Sequence, residues 1–121
     1  MTDRLNWIEH NGTKILSYNF KGGTPEDIVA VIEGAEKILP SQPENSVLAL
    51  IDTTDIKFNT ESWDKLKKYA KFAKPYNKAT AIVGLTLGTE LLLKAVRLFT
   101  KRPLFTFDNI EEAKNYLVEQ K

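Results

Sequence analysis

With 121 residues, 42% of them hydrophobic, the chain is long enough to bury a core without staples and reads as a packed globule rather than a disordered segment. It has no Cys, which excludes disulfides, thiolate metal sites and cysteine nucleophiles. The net charge of +1 hides a segregation: residues 1–64 carry five Lys/Arg against eleven Asp/Glu, and residues 65–102 carry ten against one, Glu90. Such asymmetry points to a surface that meets an anionic partner. Asp3, Arg4, Asn6 and Glu9 interrupt any apolar leader behind Met1, and no apolar run reaches eighteen residues. The expectation is a cytoplasmic chain, neither signal-directed nor membrane-spanning, forming one domain over 1–121.

The first predicted elements are two strands flanking Asn11-Gly12, a dipeptide that accepts φ > 0 at both central positions of a hairpin turn. In the second strand Leu16, Tyr18 and Phe20 share one face. Thr24-Pro25-Glu26-Asp27 then opens a helix, with a capping hydroxyl, Pro at its first position and acids in its first turn. Ile28, Val31, Ile32, Ala35, Ile38 and Leu39 form its buried stripe, and Pro40 and Pro43 close it. The run Val47-Leu48-Ala49-Leu50-Ile51 is apolar without alternation, the pattern of a strand covered on both faces.

Beyond it, Asn59-Thr60-Glu61-Ser62 opens a lysine-rich helix at 61–74 that stops at Pro75. A second apolar strand follows at 79–85, then a helix from Gly88-Thr89 to Arg102-Pro103, a strand at 104–107 and a last helix at 110–119 behind Asp108-Asn109. The order ββαβαβαβα predicts a mostly parallel five-stranded sheet with an N-terminal hairpin at its edge and four helices.

Chemistry-bearing motifs are sparse. His10 is the single histidine and lies beside the hairpin turn, so no triad can be built, and no catalytic residue is assigned. Asp52 and Asp55 stand at a strand end near Glu61 and Asp64, but acids there ordinarily cap turns and helix starts, so no metal is assigned. No nucleotide fingerprint occurs, and no cofactor is expected. Gly84, Gly88 and Thr89 run from a strand end to a helix start, where backbone N–H groups can hold an anion or a small ligand.

The two basic helices offer the contact residues. On a helical wheel Trp63, Leu66, Tyr69, Ala70 and Ala73 form the core stripe of 61–74, while Phe72 falls outside it between Lys65 and Lys68. In 89–102, Lys94, Arg97 and Lys101 share a narrow sector with Glu90, and Leu93 stands beside it. These residues suit a protein partner, an anionic membrane surface or a second copy of the chain. The chain lacks an interleaved aromatic and basic platform, which argues against nucleic acid.

In Leu48-Ala49-Leu50-Ile51-Asp52 with its following turn, Ala81-Ile82-Val83-Gly84, the apolar helix 89–100, Leu104-Phe105-Thr106-Phe107-Asp108 and Glu111-Glu112-Ala113-Lys114-Asn115-Tyr116-Leu117, the chain resembles the SpoIIAA-like group of the STAS superfamily. That superfamily is related to the Sec14/CRAL-TRIO lipid-binding fold. The resemblance implies a cytoplasmic regulatory or interaction module without catalysis, or else a peripheral membrane or lipid-binding protein. In the anti-sigma-factor antagonists of the superfamily, an Asp-Ser pair followed by Gly opens the helix after the central strand, and a kinase phosphorylates that Ser. Alignment on the strand makes Thr60 the corresponding phosphoacceptor. The pattern departs here: Asn59 replaces the Asp, Thr replaces Ser, and the Gly is missing. A Thr in this place also reads as a helix N-cap.

Overall fold

At Asn11 (φ 51°) and Gly12 (φ 77°) the chain turns through the two left-handed residues that a two-residue hairpin needs, which pairs His10 with Thr13. The computed structural model describes residues 2–85 and 104–121. Its elements are β1 (Leu5–His10), β2 (Thr13–Asn19), α1 (Pro25–Ile38), a 3-10 turn (Leu39–Ser41), β3 (Val47–Asp52), α2 (Thr60–Ala73), β4 (Asn77–Val83), β5 (Leu104–Phe107) and α3 (Ile110–Glu119).

The strands lie in sequence order, with β1 antiparallel to β2 and the pairs β2–β3, β3–β4 and β4–β5 parallel. The expected mostly parallel sheet is thus a mixed one, because the tight hairpin can join only antiparallel strands. Four helices were expected and three are found among the described residues. The helix expected at 89–102, with Gly88, Thr89, Leu93, Lys94, Arg97 and Lys101, lies outside them.

Both faces of β3 are covered, as its unbroken apolar run requires. Val47 and Ala49 join Leu16, Tyr18 and Phe20 beneath α1 and α2, whereas Leu48 and Leu50 join Ile15, Ala81 and Val83 beneath α3. In α1 the side chains of Ile28, Val31, Ile32 and Ala35 are fully buried. Each buried aliphatic contributes roughly 1.5–3 kcal/mol relative to exposure, so this stripe is the main anchor of the layer. Thr24 caps α1 through a reciprocal pair of bonds with Asp27, with Pro25 in its first turn.

Candidate functional site

The chain leaves β3 at Asp52, whose Oδ1 accepts from the Thr54 amide (3.0 Å) and hydroxyl (2.7 Å). The Thr53 amide and hydroxyl both donate to the Val83 carbonyl at 2.8 Å. Gly22 donates to the Thr54 carbonyl (2.8 Å) and Lys57 to that of Gly23 (2.9 Å). The loop is therefore tied on one side to the end of β4 and on the other to the loop before α1. Gly84 closes the β4 side at φ +84°, where a Cβ would stand 2.7 Å from the Thr54 nitrogen and 2.9 Å from its Cα. Only glycine fits that approach.

α2 begins in a capping box. The Ser62 amide donates to Asn59 Oδ1 (2.8 Å), and the Asn59 amide donates to Ser62 Oγ (3.0 Å). The N-cap is therefore Asn59, and Thr60 is the first helical residue. This corrects the capping reading of Thr60: the amide oxygen one residue earlier already satisfies the free N–H. Thr60 is exposed, and its hydroxyl has no hydrogen bond among the described residues.

The buried stripe of α2 also differs from the expected one. Ser62 is fully buried, Tyr69 and Ala73 are buried, Leu66 packs partly against the same core, and Trp63 is displaced. Trp63 instead meets Phe58 edge-on at 6.0 Å, with Lys67 Nζ 5.5 Å above its ring. Leu66, Tyr69 and Ala73 keep their expected places, so the difference lies in the first turn, where Ser62, held by the capping box, is buried in place of Trp63. Tyr69 reaches into the core and shares a hydrogen bond with the hydroxyl of Tyr18. Burial pushes Tyr18 up to about 12, and Tyr69 is pushed up too, by burial first and then by Tyr18 and Glu36.

Outside the core, Phe72 is 36% exposed and touches Tyr69 and Tyr76, with ring centroids at 6.2 and 5.8 Å. Of the two flanking lysines, Lys65 is occupied by Glu36 at 3.7 Å, whereas Lys68 is exposed with no ion pair among the described residues. The acids considered for a metal are dispersed: Asp52 serves its turn, Asp64 pairs with Lys67 at 3.3 Å, and Asp55 occupies a left-handed position at φ 54°. Among the described residues no three His, Asp or Glu converge on a metal site. His10 is not a loose turn residue, since its Nε2 lies 2.9 Å from Asn115 Oδ1 and 3.8 Å from the Glu111 carboxylate of α3.

The stitched loops set the starts of α1 and α2 side by side. A shallow groove of about 210 Å3 lies between them, lined by Val29 and Ala30 and by the carboxyl-bearing Glu26, Glu33 and Glu61. The sequence reading missed this groove. Its signal was present in the 26-29-30-33 spacing, one outward stripe of α1, but nothing in the sequence states that α2 lies alongside it.

No family model matches the chain, and no curated protein does. Among solved structures it is similar to the crystal structure of an uncharacterised DUF3478-family protein with a SpoIIAA-like fold from Shewanella loihica PV-4. The TM-score is 0.73 at 19% identity, over 93% of this chain and 91% of that one. The protein thus has a SpoIIAA-like fold, the STAS-like architecture that the sequence resemblance implied. No helix among the described residues is long and apolar enough to cross a membrane.

Proposed function

We propose that the protein is a non-catalytic STAS-like interaction module that docks a protein partner through the turn at 59–62 and helix α2, with phosphorylation of Thr60 as its switch. One observation carries the reading: Asn59 and Ser62 perform all the capping, which leaves the Thr60 hydroxyl exposed and unengaged at the start of α2. A phosphate there adds about −1.5 to −2 charge at the positive end of a helix dipole, without disturbing a bond that holds the fold. The engagement of Asp52 and Asp64 in local bonds supports a binding role rather than a chemical one. Mass spectrometry of the protein isolated from its own cells is expected to find phosphate on Thr60. Uniformly unmodified Thr60 under varied growth conditions would end the switch reading. A partner retained by the wild type and released by Thr60→Asp, or the reverse, would identify what the switch controls.

A second reading draws on the exposed Phe72 beside Lys68 and Lys71. An aromatic side chain among unpaired lysines suits insertion at an anionic lipid surface. Co-sedimentation with anionic vesicles is then expected to weaken with salt, because exposed charges are screened over about 10 Å at 0.1 M. It is also expected to weaken in Phe72→Ala. Equal binding to neutral vesicles, or none to either kind, removes this reading.

A further inference from the structure

The tip of the hairpin carries a reactive pair that neither binding reading uses. Asn11 and Gly12 are both exposed, and they stand beyond His10 and Thr13, the last paired residues of the β1–β2 ladder. The Asn11 carboxamide and the Gly12 amide make no hydrogen bond among the described residues. A Cβ built on Gly12 would meet nothing within 4 Å. The Gly12 nitrogen is therefore shielded neither by a side chain of its own nor by the rest of the fold. The other seven of the eight asparagines differ. Each precedes a residue with a Cβ, and five have their carboxamides engaged. Asn6 donates to the Asp3 carbonyl (2.7 Å), Asn19 accepts from the Lys21 amide (3.0 Å), Asn59 and Asn109 cap α2 and α3, and Asn115 meets His10 at 2.9 Å.

We infer that Asn11 is a site of spontaneous deamidation, which converts the hairpin tip irreversibly from a neutral to an acidic turn. The Gly12 nitrogen gives up its proton and attacks Asn11 Cγ. The new N–Cγ bond closes a five-membered imide, the Cγ–Nδ2 bond breaks, and the amide group leaves with a proton as ammonia. Water then opens the imide. Addition at Cγ restores the ordinary backbone with an aspartyl side chain. Addition at the main-chain carbonyl leaves an isoaspartyl link, in which the chain runs through Cβ and Cγ. Nothing is oxidised or reduced, and water is the sole co-reactant. Fraying of the two exposed tip residues lets the ring close while the sheet stays folded.

The two products differ in what they do to the fold. The isoaspartyl link adds a backbone atom to a turn whose two residues fit the pairing of His10 with Thr13. His10 in turn meets Asn115 and, at 3.8 Å, the Glu111 carboxylate of α3. The end of the ladder and its contact with α3 are therefore lost together. The ordinary aspartyl product keeps both, since Asp accepts the left-handed conformation that Asn11 holds at φ 51°.

The test is ageing of the full native chain at mildly acidic and mildly alkaline pH, followed by peptide mapping in a mass spectrometer. Enzymatic methylation specific for isoaspartyl groups counts that product. The peptide holding Asn11 is expected to gain the mass of an amide-to-acid change before any other. The gain should be severalfold faster at the higher pH, because the attacking nitrogen must lose its proton. Asn11→Gln, whose longer side chain closes the ring poorly, is expected to abolish the gain with an unchanged circular dichroism spectrum. Hydrogen exchange is expected to show lost protection of the His10 and Thr13 amides in the isoaspartyl fraction alone. Asn11 that stays amidated in the native chain while it reacts in urea overturns the proposal, because the turn then protects it. Earlier modification of another asparagine in the native chain overturns it too, as does a rate indifferent to pH. An isoaspartyl fraction with unchanged protection overturns the link to the ladder.

Discussion

Helices α1 and α2 have the same length, cover the same face of the sheet and start beside each other, yet they are held by different forces. α1 presents Ile28, Val31, Ile32 and Ala35 to the core, all fully buried, and shows no large apolar side chain to solvent. α2 presents Ser62, Tyr69 and Ala73, with Leu66 only partly covered, and leaves Phe72 outside. Aliphatic burial is non-directional and large, whereas hydroxyl-mediated anchoring contributes only about 1 kcal/mol net per bond and depends on both partners being present. The comparison teaches which helix is scaffold. α1 is fastened by aliphatic area, while α2 buries less of it and is tied to its neighbours by the Tyr69–Tyr18 bond and the Lys65–Glu36 pair. The more lightly held element is the one that carries exposed Thr60, Phe72 and unpaired lysines. Elements with fewer buried apolar contacts open at lower free energy, a property that docking surfaces draw on.

The contrast is tested first where it predicts the largest loss. Ile32→Ala removes a fully buried aliphatic side chain from α1 and is expected to cost about 2–5 kcal/mol in urea unfolding. A cost below about 1 kcal/mol would show that α1 is not the anchor.

Next in size is the tyrosine pair beneath α2. Tyr69→Phe leaves the buried Tyr18 hydroxyl without its partner and is expected to cost about 1–3 kcal/mol. The double change Tyr18→Phe/Tyr69→Phe removes both hydroxyls and is expected to recover much of that loss; strictly additive costs would mean that the bond contributes nothing. The pair also sets an alkaline limit. Tyr18 is raised to about 12 and Tyr69 is raised as well, against about 10 for an unfolded Tyr. Above pH 10 the unfolded chain therefore gives up protons that the native state keeps, and stability falls as pH rises. The contribution is complete below pH 10 and is lost as the pH climbs through about 12. The double Phe variant lacks this component, so its stability should decline less steeply over the same window.

The smallest expected difference is the sharpest. Asn59→Ala is expected to cost about 1 kcal/mol, as loss of an N-cap does. Thr60→Ala is expected to stay within about 0.5 kcal/mol, as a surface change away from any cap does. The reverse order would return the cap to Thr60 and remove the free hydroxyl on which the switch depends.

Much of this arrangement was legible from local pattern. The Asn11-Gly12 turn, the capped start of α1 at Thr24, the doubly covered β3 and the short β5 all follow from periods of two or 3.6 residues and from turn chemistry that acts within a few positions. Phe72 was legible for the same reason, since falling outside a helical stripe is a local property. Ser62 was not, because its burial goes with the bond that the Asn59 amide makes to its hydroxyl, which apolar periodicity does not register. Nor was the engagement of Lys65, whose partner Glu36 lies on another helix.

Among the described residues the sequence by itself determined which segments form strands and helices, which face of α1 and of β2 is apolar, and that charge is divided between the two halves of the chain. Those properties are set by residues in contact along the backbone. The tertiary structure alone decided that Gly84 must lie against Thr54, that the tyrosines of β2 and α2 share a hydrogen bond, and that Glu26, Glu33 and Glu61 meet at one groove. Each of these joins residues roughly 30 to 50 positions apart or on separate helices, and their proximity follows from the parallel crossovers that set α1 beside α2, not from any spacing in the chain.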